Sequence, residues 1–168
     1  MTDTLRGAAL MVGSMACFAL EDGLIKALSG TFPAAQIIWM LGLGGSLAFV
    51  GWLIATGQTV WSPHYLRPQV LLRSGFEVAG TLCFVSALAL IPLATASAVI
   101  QATPLVVAMG AAVFLGARVG WRRWLAIGVG FAGVLIILRP GSSAFDPATL
   151  LAVGGMLGLA ARDLVTRT

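Results

Sequence analysis

Six long apolar runs constrain this chain more than any other feature. They extend over about Gly7–Leu28, Ala34–Ala55, Val70–Leu90, Ala94–Leu115, Trp121–Leu138 and Ala148–Val165. Each is long enough to cross about 30 Å of hydrocarbon as a helix rising about 1.5 Å per residue. The chain has 168 residues, 59% of them hydrophobic and 10% charged. A soluble domain is about 45–50% apolar and about 25% charged, and this chain is too short to hide the excess in a core. Lipid is therefore its solvent. The expected fold is an all-α integral membrane bundle of about six helices. The first run exceeds the about 7–15 residues of a signal-peptide apolar region and reads as a retained first span.

Short turns separate the runs. SGTFP places Pro33 at the start of the second helix, and Asp146-Pro147 reads as a cap followed by a first-turn proline. The longest connection is GQTVWSPHYLRPQ, which carries the single histidine, His64. Such short connections favour antiparallel neighbours packed into one bundle.

Charge fixes an orientation. With the N-terminus cytoplasmic, Arg6, Arg67, Arg73, Arg118, Arg122, Arg123, Arg162 and Arg167 lie inside, against Lys26 and Arg139 outside. That bias follows the positive-inside rule. Trp61, Tyr65, Trp121 and Trp124 flank the inner boundaries as an aromatic belt. The expected location is the cell inner (cytoplasmic) membrane, crossed several times. The basic residues form no single patch, so nucleic acid is not an expected partner.

Ionisable residues inside the apolar runs are the candidates for function, because each costs roughly 2.5–3.5 kcal/mol at a helix centre. Asp22 and Lys26 stand one turn apart, acid first, as an i, i+4 ion pair would. They read either as a self-neutralised outer anchor, with Lys26 snorkelling, or as a path for a cation or proton, since Glu21 adds a second acid. Arg73 and Glu77 repeat the spacing at the inner end of the third run. They read as a gate or solute contact, or as a pair that fixes helix orientation. Arg162 and Asp163 read as an interfacial anchor, and Trp39 as packing.

Gln101, Thr103 and Pro104 lie in the middle of the fourth run. Pro104 has no N–H, so the Ile100 carbonyl loses its helical partner. Gln101 or Thr103 can replace it, and a mid-membrane break marks many transporter binding sites. Gly154 with Gly158, Ala126 with Gly130, Gly128 with Ala132 and Gly42 with Ser46 are small-residue pairs that allow close helix approach. Cys17 and Cys83 have no metal-ligand spacing and read as packing residues. No GxxxxGK[ST] or HExxH is present, and no cofactor, metal site or catalytic set is expected.

The stretches FALEDGLIKALSG, LIPLATASAVIQATPLVVAMGAAVFLG, GWRRWLAIGVGFAGVLIILRPG and AARDLVTRT together resemble the EamA-type branch of the drug/metabolite transporter superfamily. The resemblance implies two inverted five-helix repeats with both termini cytoplasmic. Residues 1–140 would form the first repeat and 141–168 would begin the second with the sixth helix. The implied function is secondary transport of a small polar or amphipathic metabolite by alternating access. Asp22, Lys26, Arg73, Glu77, Gln101, Thr103 and Pro104 would line the substrate or proton pathway. The implied partners are the lipid bilayer, the small-molecule substrate, and the second half of the transporter or a second copy. A helical bundle or interaction module that needs further helices to transport is the alternative. Three positions depart from the family pattern: Leu41, where arginine is frequent, Ala117, where glutamate is usual, and Glu21, where a neutral residue is commoner.

Overall fold

A computed structural model describes residues 3–116, 120–139 and 146–167. Arg118, Ala117 and most of the RPGSSAF turn lie outside the described residues, as does the His64 side chain. Among the described residues the secondary structure is entirely helical: α1 Asp3–Leu28, α2 Ala34–Ala55, a short 3-10 turn Pro63–Leu66, α3 Pro68–Leu90, α4 Leu93–Ile100, α5 Thr103–Phe114, α6 Trp121–Leu138 and α7 Thr149–Val165. This is an all-α, multi-pass membrane protein. Among the described residues, five stretches are long and apolar enough to cross a bilayer: Thr4–Leu28, Ala34–Ala55, Pro68–Leu90, Leu93–Phe114 and Trp121–Leu138. The sixth expected span appears as the 17-residue α7.

Proline sets several boundaries. Pro33 is extended (φ −61°, ψ 146°) immediately before α2, Pro68 is the first residue of α3, and Pro92 precedes α4. Each supplies a fixed φ without forfeiting a helical donor, because the first N–H groups of a helix have no partner within it. Before α7, the Ala148 N–H donates to Asp146 Oδ1 at 2.9 Å, a local turn ahead of the helix. The cap position is Ala148, which has no side-chain cap bond, so the expected Asp146 cap and first-turn Pro147 are corrected. α6 ends differently, on Arg139 in the left-handed region (φ 45°, ψ 53°).

Packing does not follow chain order. α1 and α2 each pack chiefly on α3, whereas α3 lies along α7, which α4 and α5 also touch. Small residues explain the difference. A Cβ built on Gly158 would lie 2.7 Å from Gly80 Cα, and one built on Gly155 would lie 3.0 Å from Phe84 Cβ. In lipid, apolar area gives helices little reason to associate, and close backbone approach supplies the contact instead. The Gly154–Gly158 pair is thus used within the chain, although it is Gly158 and Gly155 that meet α3 backbone most closely. Gly42 and Gly128 face open space.

The core lies where α3, α4, α5 and α7 converge, with Leu88, Ile91 and Val99 fully buried. Ile25 of α1 and Ile37 of α2 join it from one side. Most of α1 and α2 is exposed, including Leu20, Trp39 and Phe49. Lipid or further helices must cover those faces.

Candidate functional site

Lys26 makes no ion pair with Asp22. Its ammonium donates instead to the carbonyls of Leu88 and Ile91, each at 2.8 Å. The i, i+4 expectation fails because two carbonyls left over at the end of α3 lie within reach. Snorkelling fails with it, since the side chain turns inward. Asp22 is half-buried on the same face of α1 as Ile25, and Glu21 beside it is exposed.

The second expected pair is also rearranged. Glu77 does not bind Arg73, which is exposed. Arg162 Nη1 reaches across from α7 to both Glu77 carboxylate oxygens, at 2.8 and 2.9 Å. The same guanidinium donates through Nε and Nη2 to Asp163 Oδ1, at 2.9 and 2.7 Å. One cation therefore serves two carboxylates, and the planar, five-donor guanidinium is suited to that geometry. Gly80, one turn above Glu77, is what lets α7 come close enough. Arg162 and Asp163, expected to be an interfacial anchor, belong instead to a link between α3 and α7. Nothing local in the sequence signals that link across 85 positions. The need of a membrane-embedded glutamate for a cation is the one available hint.

The break in the fourth span lies where the sequence places it. α4 ends at Ile100 and α5 begins at Thr103. Thr103 Oγ1 donates to the Ile100 carbonyl, replacing the N–H that Pro104 lacks. Gln101 is exposed and lines a groove of about 320 Å³ shared with Gly130, Gly133 and Val134 of α6. Of the two polar residues able to satisfy the break, threonine does so and glutamine lines the groove.

A second groove, of about 390 Å³, runs between α1 and α2. Its walls are apolar (Leu20, Leu24, Phe32, Met40) apart from Glu21. Leu41 lines it as well, so two of the three positions that depart from the family pattern face one space. Sequence reasoning left Glu21 out of the pathway. Glu21 lines this groove, whereas Asp22 lines neither groove. No group of histidine, cysteine, aspartate or glutamate able to hold a metal occurs among the described residues.

Residues 5–139 match the EamA-like transporter family. The chain belongs to that family. This EamA-like chain is 34% identical to a riboflavin transporter of Rhizobium johnstonii, over 96% of its own length and 54% of the relative's. It is 30% identical to a pseudopaline exporter of Pseudomonas aeruginosa, covering 90% of this chain and 52% of that one. An S-adenosylmethionine uptake transporter of Rickettsia bellii is 24% identical over 99% of this chain and 58% of its own. The chain spans about half the length of these curated relatives. No solved structure matches it.

Proposed function

We propose that the chain is the first five-helix repeat of a secondary transporter, residues 1–140, followed by the start of the second, residues 141–168. It moves a small amphipathic metabolite by alternating access. The membrane is the inner (cytoplasmic) one, with the N-terminus in the cytoplasm, as the excess of arginine on one side favours. The observation that carries this reading is the Glu77–Arg162–Asp163 link. It joins a helix of the first repeat to the helix that begins the second, near the expected inner surface, and motion of one repeat against the other has to break or shift such contacts.

Two further features support it. Gln101 faces a groove beside a mid-membrane helix break. The groove between α1 and α2 has the volume of a small-molecule site, about 300–1,000 Å³, and apolar walls with one carboxylate suit an amphipathic solute. Riboflavin and S-adenosylmethionine, named for the relatives, are the first solutes to test. The exposed faces of α1 and α2 favour a requirement for the second half of the transporter or a second copy.

The experiment is an uptake panel in right-side-out membrane vesicles, comparing the chain with a version continued through a second repeat. Saturable uptake of at least one metabolite by the continued version supports transport. Activity of the 168-residue chain alone would show that it pairs with a copy of itself. Absence of uptake by both forms across the panel contradicts the proposal and favours the non-transporting bundle.

A further inference from the structure

Pro92 has no N–H, so the carbonyl of Leu88, four residues earlier, cannot receive the bond that would close the last turn of α3. Ile91 is extended (φ −112°, ψ 163°), and its carbonyl belongs to neither helix. The first bonds of α4, from Thr95 and Ala96, go to the Pro92 carbonyl. Two acceptors are thus stranded together at the negative end of a helix dipole, and a buried backbone group left without a partner is costly. Leu88 and Ile91 are themselves 0% and 1% exposed. The Lys26 ammonium donates to both carbonyls.

We propose that Lys26 is a positioning residue that fastens α1 to the elbow between α3 and α4, and is not a ligand for solute or proton. Its charge satisfies carbonyls that no N–H can reach, and a cation is the donor best matched to a helix C-terminus. The consequence reaches the candidate site through α4, which is only eight residues long. Fixing the start of so short a helix also fixes the direction of the break at its far end, where Gln101 meets the groove. Asp22 is left without that cation as a partner, so the two residues act separately. The inference concerns how the first repeat is held together, and it stands whether or not the chain transports.

The sequence makes the test unusually direct. Lys26 is the only lysine, and Ile91-Pro92 is the only isoleucine–proline step. Solid-state NMR on the whole chain in lipid bilayers, with ¹⁵N at the lysine ammonium, ¹³C at isoleucine carbonyls and ¹⁵N-proline to select Ile91, reports the contact without mutation. A short-range dipolar coupling between Lys26 Nζ and the Ile91 carbonyl carbon is expected. Lys26→Met should move the Ile91 signal upfield as the hydrogen bond is lost, Lys26→Arg should restore most of the shift, and Asp22→Asn should leave it in place. The proposal is overturned if the unmutated chain shows no such coupling. It is equally overturned if Asp22→Asn moves the signal as far as Lys26→Met.

Discussion

Arg162 on α7 holds both carboxylate oxygens of Glu77 on α3, 85 residues away, while keeping Asp163 on its other edge. The side chains of the Glu77 pair are 27% and 38% exposed, so the link is neither a fully buried ion pair nor a surface one. Removing the cation and removing one acid should therefore have unequal effects. Arg162→Met leaves two carboxylates without their shared donor and should cost about 1–2 kcal/mol, below the 3–5 kcal/mol of a fully buried pair. Glu77→Gln keeps an acceptor for Arg162 and should cost less than about 1 kcal/mol. Unfolding midpoints in mild detergent compare them, and the double variant should be less destabilised than the sum of the singles.

The same helix pair makes a steric prediction. Gly158→Ala places a methyl 2.7 Å from Gly80 Cα, against backbone that cannot swing aside. It should destabilise by about 1–3 kcal/mol. Gly154→Ala meets the Cys83 Sγ at 3.5 Å, an ordinary contact, and should be tolerated. Gly128→Ala points into open space and should be neutral or stabilising by up to about 1 kcal/mol. Detergent unfolding midpoints of the three variants should fall in that order.

At the break in the fourth span, Thr103→Val orphans the Ile100 carbonyl and should cost about 1–3 kcal/mol. Pro104→Ala returns an N–H to the position four residues after Ile100, so the double variant Thr103→Val/Pro104→Ala should recover most of that loss. Thermal unfolding of the singles and the double measures the recovery. Equal losses in both backgrounds would show that Thr103 does not serve this carbonyl.

Gln101 has a different expected signature. It is exposed and bonded to nothing shown for the break, so Gln101→Ala should leave the unfolding midpoint unchanged. If it contacts solute through one hydrogen bond, the variant should raise the KM for uptake roughly three- to tenfold. Uptake kinetics of a transporting form separate that outcome from a plain kink, for which KM would not move.

The spans were legible in the sequence because hydropathy and proline are local signals. α2 and α6 occupy the expected residues 34–55 and 121–138, and the break falls beside Pro104. The charge partners were not legible. Asp22–Lys26 and Arg73–Glu77 each offer a plausible pair one turn apart, yet Lys26 and Glu77 both find their partners on another element. Lys26 bonds carbonyls 62 and 65 positions on. The stranding of the Leu88 acceptor follows from Pro92, but which cation lies within reach depends on how α1 meets α3, and periodicity does not encode that. Glycine spacing likewise marked α7 as able to approach a neighbour closely without saying that the neighbour carries Gly80.

Alternating access is tested most directly by exchange. Vesicles containing the version continued through a second repeat are loaded with unlabelled metabolite, and entry of the labelled compound is timed against unloaded vesicles. A site exposed to one side at a time predicts that loading accelerates entry and that Glu77→Gln, by weakening the link to Arg162, changes this acceleration without abolishing binding. Entry at the same rate in loaded and empty vesicles, with Glu77→Gln indistinguishable from the unmutated protein, would contradict both the transport mechanism and the role given to the Glu77–Arg162 link.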